Sequence, residues 1–182
     1  MSVKREVFIS VDVETSGPIP GEYSLLTIGA CTVDEKETFE CRLKPINRNA
    51  VPEAMRVTGL SLDELERSGM PPHEAMSGFR DWIARATGTD GTPVFVGINA
   101  PFDWSFINYY FHRYLSENPF GFTALDIKAL YMGATGCNWQ ETKSSRMDNA
   151  LHPTNSGSHD ALADARYQAE LFRLIRTKLM HA

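Results

Sequence analysis

Cysteine is scarce, and its three copies, Cys31, Cys41 and Cys137, are scattered without a CxxC pair. An odd and dispersed set excludes a disulfide framework and has no zinc-ligand spacing, so free thiols are expected. No apolar stretch is long enough to span a bilayer, and the start of the chain opens directly into a strand-like run without a cationic leader and apolar signal core. A cytoplasmic protein with no membrane partner is the expectation. Positive charge is also in deficit: 18 Lys and Arg against 23 Asp and Glu give a net charge of −5, where nucleic-acid binders usually carry a basic stripe. That exclusion weakens if several acids hold divalent cations, because the ions bring the positive charge that phosphate needs. There is no internal repeat and no low-complexity tract.

What is present suits a folded body. Over 182 residues, 42% apolar and 23% charged, one domain spanning 1–182 can bury a core. Val7 to Glu14 alternates at period two, with Val7, Ile9, Val11 and Val13 on one face and Ser10, Asp12 and Glu14 on the other. β-rich runs follow at Thr27 to Val33 and Thr38 to Leu43, joined by a charged turn, so the first three strands form an antiparallel meander. A mostly polar connection leads to Pro71-Pro72 and a helix marked by Ala75, Phe79, Ile83 and Ala86. Val94 to Ile98 reads as a strand covered on both faces, and Pro101 starts a helix that includes Phe102, Phe106, Tyr109 and Tyr110. Phe122 to Leu125 is a short fifth strand and Ile127 to Met132 a helix, while Gly133 to Ser158 reads as a long surface loop. The last helix, Asp160 to Leu179, stacks Ala161, Ala165, Gln168, Phe172, Ile175 and Leu179 on one side, with Ser158 or His159 as its cap. The pattern gives a mixed α/β sheet covered on both faces.

Three signals carry chemistry. Asp12 and Glu14, one residue apart on a strand, project from the same face and can clamp a hard cation through oxygen. Two solvent-facing acids at a strand end explain them equally well. In Asn99-Ala-Pro-Phe-Asp103, Asp103 falls in the first turn of a helix after a buried strand, where open α/β sheets bind ligands. The helix dipole alone would also favour an acid there. In Gly157-Ser-His159-Asp-Ala-Leu-Ala-Asp164, a helix offers Asp164 while the preceding loop presents His159, a side chain suited to taking a proton from water near neutral pH. Capping by His159 and dipole-favoured Asp160 and Asp164 are the plainer explanation.

Together, the order and spacing of these motifs over residues 7 to about 175 resemble the DEDDh branch of the DEDD exonucleases, the group of polymerase proofreading domains and RNase T. The resemblance implies an RNase H-like, three-layer α/β fold whose five-stranded mixed sheet is flanked by helices. It implies 3′→5′ hydrolysis at the 3′ end of single-stranded RNA or DNA, releasing nucleoside 5′-monophosphates. It also implies that Asp12, Glu14, Asp103 and Asp164 hold two Mg²⁺ or Mn²⁺ ions, with His159 as general base. A tyrosine-type member would carry Tyr at position 160, which here is Asp. Several members pair as dimers, so a homodimer is allowed. A non-catalytic nucleic-acid-binding module with the same fold, and a phosphohydrolase of small nucleotides, are the alternatives.

Other residues make weaker claims. Thr15 and Ser16 follow the acidic pair, where the family meets the terminal nucleotide, although a turn before Gly17-Pro18 explains them almost as well. Asn99 can orient substrate or satisfy loop backbone, the latter being favoured. Asp126 reads as a helix cap rather than a fifth ligand. His73, His112, His152 and His181 have no partner spacing. Phe102 and Phe106 are expected in the core and Trp104 is open, while Lys143 and Arg146 belong to a solvated loop. The stretch Ser16 to Ser24, with Pro18, Pro20 and Gly21, is longer than the family pattern.

Overall fold

A computed structural model describes residues 5–179. Five strands, β1 (Arg5–Thr15), β2 (Leu25–Thr32), β3 (Thr38–Arg42), β4 (Gly91–Gly97) and β5 (Ala124–Asp126), form one sheet in the order β3-β2-β1-β4-β5. β2 runs antiparallel to both β1 and β3, and β4 and β5 join in parallel, so the sheet is mixed as expected. Between β3 and β4 run α1 (Pro52–Thr58), α2 (Leu62–Ser68) and α3 (Pro72–Thr87). α4 (Ala100–Leu115) follows β4, and after β5 come α5 (Ile127–Thr135), a 3-10 turn (Trp139–Thr142), α6 (Ser144–Leu151) and α7 (Ala161–Leu179). The side chain of Leu179, and His181, lie outside the described residues.

The alternation of β1 sorts its side chains between two layers. Val7, Ile9, Val11 and Val13 enter a core with Phe79 of α3 and Phe106, Ile107 and Tyr110 of α4. The opposite face is covered too: Ser10 is buried and Asp12 and Glu14 are half-buried. Phe8 meets Phe172 of α7 at 4.9 Å between ring centres, in a second core that Tyr131, Met147, Leu151 and Ile175 complete.

Three expectations change. The connection before Pro71 contains α1 and α2, seven residues each and too short to show a helical period. Gly133 to Ser158 is not an extended loop, because it folds into the 3-10 turn and α6. The apolar signal of α6 is one pair, Met147 and Leu151, and the helix docks through Tyr167, whose hydroxyl donates to Asp148 Oδ1 at 2.5 Å. Phe102 is not a core residue; it is 40% exposed at the first turn of α4, while Phe106 is fully buried. Trp104 packs edge-on against Phe95 at 5.4 Å. The thiols of Cys31 and Cys41 are free and buried, and burial pushes both up to about 12, which rules out thiolate chemistry near neutral pH.

Close contact between α7 and β2 sets the site. Ala165 and Ala169 lie against Cys31, and a Cβ at Gly29 would stand 2.1 Å from the carbonyl carbon of Ala161 and 2.2 Å from the nitrogen of Leu162. Only a glycine lets the first turn of α7 rest on the strand. Gly29→Ala should therefore cost about 1–3 kcal/mol, an overpacking penalty against rigid backbone. Thermal unfolding of the variant checks this; a midpoint equal to the parent's would show that the helix does not depend on the glycine.

Candidate active site

β1 extends beyond its parallel partner, since its pairing with β4 ends at Ser10↔Val96. The Val13 N–H, left on that side without a strand partner, donates to Asp103 Oδ1 at 3.0 Å. This bond draws the first turn of α4 across the end of the sheet and holds the buried Asp103 carboxylate beside β1. On the other face, Asp12 Oδ1 accepts from Gln168 Nε2 of α7 at 2.6 Å, and Gln168 Oε1 accepts from Ile98 N–H at 2.8 Å. One amide thus ties β1, the end of β4 and α7 together.

Asp164 lies one turn into α7, and its two oxygens accept the N–H groups of Ser158 (2.7 Å) and His159 (3.0 Å). The cap of α7 is neither Ser158 nor His159 but Asp160, whose Oδ1 accepts from Ala163 N–H at 2.9 Å. His159 instead takes a left-handed conformation, φ 58°, that turns the loop back toward the helix. Ligand atoms of Glu14, His159 and Asp164 all lie within 4.8 Å of one another. Glu14 and His159 also border a cleft of about 90 Å³ with Thr27, Arg42 and Leu60.

The electrostatics follow from crowding acids in a dry place. Burial raises the Asp12 carboxyl well above its ordinary value, and the charges of Asp103, Asp164 and Glu14 add to this against the Gln168 hydrogen bond. Burial, then Asp164 and Asp160, pushes Glu14 up to about 7. Asp103 is raised to about 7, again mainly by burial, although the Val13 N–H opposes it. Such a cluster is costly when ionised alone and favourable around a cation. An all-carboxylate donor set with one imidazole fits hard divalent ions.

Residues 9–172 match the family model RNase_T, described as exonuclease. The chain belongs to the RNase T exonuclease family. The Escherichia coli 3′-5′ DNA exonuclease Cap18 is 57% identical over 176 residues, covering 96% of this chain and 94% of its own. The nuclease domain of 3′hExo, a DEDDh member crystallised with rAMP, superposes with a TM-score of 0.77 at 15% identity, over 98% of this chain and 94% of that one. E. coli exonuclease I in complex with a dT13 oligonucleotide gives 0.76 at 20% identity over 97% of this chain, which spans 42% of that protein. At these identities the two structures carry the fold alone, which is the expected RNase H-like one. The reaction of this RNase T-family chain is 3′→5′ exonucleolytic cleavage of nucleic acid, and the family works with divalent metal ions. No helix among the described residues is long and apolar enough to cross a membrane.

The remaining sequence-marked residues are engaged locally. Thr15 Oγ1 donates to Gly17 O at 2.9 Å, and Ser16 Oγ donates to Asn49 O at 2.8 Å while accepting from Ser24 N–H. The long stretch after the acidic pair is thereby closed on itself, with Ser16 N–H bonded to Ser24 O. Asn99, exposed at the left-handed turn before α4, accepts from Lys128 Nζ at 2.9 Å. Asp126 caps α5 by accepting from Ala129 N–H, as expected, and its other oxygen accepts from Ala100 N–H. Two residues escaped the sequence reading. Gln168 was visible only as the one polar member of an apolar stripe. Glu170 gave no periodic signal, yet it accepts four hydrogen bonds from the backbone and side chains of Thr154 and Asn155.

Protons held by Glu14 and Asp103 up to about pH 7 are ones that an unfolded chain has released above about pH 4. The folded state then binds more protons than the unfolded one, so stability is greatest below the lower value and declines as pH rises through the upper one. In EDTA, the thermal midpoint should fall between about pH 5 and about pH 8. Mg²⁺ or Mn²⁺ should raise it, and more so at the higher pH, because the ion replaces protons. Melting curves across pH, with EDTA and with metal, check this; curves that overlay would show that the carboxylates hold no ion.

Proposed function

We propose that residues 1–182 form a single exonuclease domain that removes nucleotides from the 3′ end of single-stranded DNA or RNA, releasing nucleoside 5′-monophosphates. The convergence of Asp12, Glu14, Asp103, Asp164 and His159 at the end of β1 is the observation that carries this reading. DNA is the favoured substrate, since it is the one named for the relative at 57% identity. Asp12, Glu14, Asp103 and Asp164 would hold two Mg²⁺ or Mn²⁺ ions. Such ions supply positive charge for both the attacking and the leaving oxygen of an in-line displacement at phosphorus.

The protein's own groups perform the other tasks. An imidazole nitrogen of His159 takes the proton of the attacking water, and Asp164 holds the backbone that carries the ring by accepting the His159 main-chain N–H. Gln168 orients Asp12, and the Val13 N–H orients Asp103. Thr15 and Ser16 would meet the terminal nucleotide through the backbone of their turn, because their hydroxyls are already bonded. Asn99 would border the substrate from the α4 side. A cytoplasmic location accords with this reading, and so does a homodimer.

Purified protein with Mg²⁺ and 5′-labelled single- and double-stranded DNA and RNA should give a ladder of shortened products, most rapidly from single strands. Asp12→Ala should abolish shortening, and His159→Ala should slow it roughly 10²–10⁴-fold, the range of a general base. Undiminished activity in folded Asp12→Ala would refute the assignment. A strand bound but never shortened, in Mg²⁺ or Mn²⁺, would identify a binding module instead.

A further inference from the structure

The first turn of α4, which carries Asp103, also faces a second feature, a ledge formed with the segment after β5, whose chemistry the catalytic residues do not use. A hollow of about 430 Å³ lies among Asn99, Pro101, Phe102, Asp126, Ala129 and Trp139. One wall is the first turn of α4, the same turn that carries Asp103. The opposite wall is Trp139, the first residue of the 3-10 turn and 50% exposed. Trp82 is buried and Trp104 half-buried, which leaves Trp139 as the exposed indole.

The ring is not free to wander. The Lys128 ammonium lies 4.5 Å from its centre while donating to Asn99 Oδ1, so one amine steadies both walls. The acid on the floor, Asp126, has each oxygen occupied by a backbone N–H, which lessens its repulsion of phosphate. A flat indole held by a cation at the margin of a nuclease site offers a π-face for a base and a positive charge for the phosphate next to it. Sequence-independent single-strand recognition uses that combination, because every base has a π-face.

We infer that Trp139 and Lys128 form a second subsite, outside the catalytic centre, which holds an unpaired base and its phosphate on the 5′ side of the scissile bond. The inference rests on the proposed action at single-stranded 3′ ends. The subsite explains how a chain of net charge −5 retains a strand: the carboxylate centre would hold cations for the scissile phosphate, and the ledge grips the strand behind it.

The test is length dependence. With 5′-labelled oligothymidylates of two to twelve nucleotides and Mg²⁺, Trp139→Ala should raise KM about tenfold on the longer strands, and the loss should shrink toward the dinucleotide. Trp139→Phe should restore most of it, and Lys128→Met should reduce the salt dependence of binding by about one unit of slope. Anisotropy with a fluorescent twelve-mer in EDTA reads the ledge apart from cleavage, and melting curves confirm that the variants fold. Trp139-dependent binding by a wild type that does not cleave would uphold the ledge and defeat the exonuclease reading. A cleaving enzyme in which Trp139→Ala loses nothing, or loses equally at every length, would overturn the ledge alone.

Discussion

Asp12 is held between a central strand and a helix, in a place where a carboxylate is expensive to ionise, and its neighbours are three more acids. Every feature around the site either enforces that crowding or makes it tolerable. The extension of β1 past β4 exposes the Val13 N–H that fixes Asp103. The glycine in β2 lets α7 descend until Gln168 reaches Asp12 and Asp164 comes level with Glu14. Loosen either contact and the acids separate; repulsion falls, and so does the ability to cage a cation. Stability without metal and affinity for metal are therefore opposed quantities in this fold, set by the same distances.

The loop carrying His159 shows how an irregular segment can present a fixed group. Glu170 grips Thr154 and Asn155 with four hydrogen bonds, which hold its carboxylate below its usual value despite burial. Asp164 grips Ser158 and His159 at the other end. Only Ser156 and Gly157 lie between the two clamps. Asp164 thus faces the cluster and also sets the backbone of the proposed base, so whatever charge it meets in the cluster is felt directly by the His159 N–H.

How far the sequence revealed this follows from the range of each determinant. The alternation of β1, the Asp12–Glu14 spacing and the His159–Asp164 interval are local patterns, and the structure keeps each on the expected element. The strands were equally plain, with starts displaced by up to three residues and ends by one. What failed to show was decided by tertiary contact. α6 has a single apolar pair and exists through Tyr167–Asp148, a bond spanning nineteen residues. Phe102 follows helical spacing with Phe106, but the first turn of α4 projects past the core, so the same periodicity buries one ring and exposes the other. Gln168 is one polar residue in an apolar stripe, and nothing in its neighbours predicts that its partner is 156 residues away.

Net charge misleads here because it averages over a surface where only placement counts. Burial, and then repulsion from neighbouring acids, raises the proton affinity of Asp12, Glu14 and Asp103, so near neutral pH the metal-free site carries less negative charge than its residue count suggests. Divalent ions, once bound, would reverse the local sign, and phosphate would then meet cations rather than carboxylates. Two further acids have carboxylate oxygens that accept backbone N–H groups, Asp126 from Ala100 and Ala129 and Asp160 from Ala163. An acidic protein can thus offer a polyanion a path with little repulsion, provided that each carboxylate along it is occupied by a proton, a metal ion or an N–H.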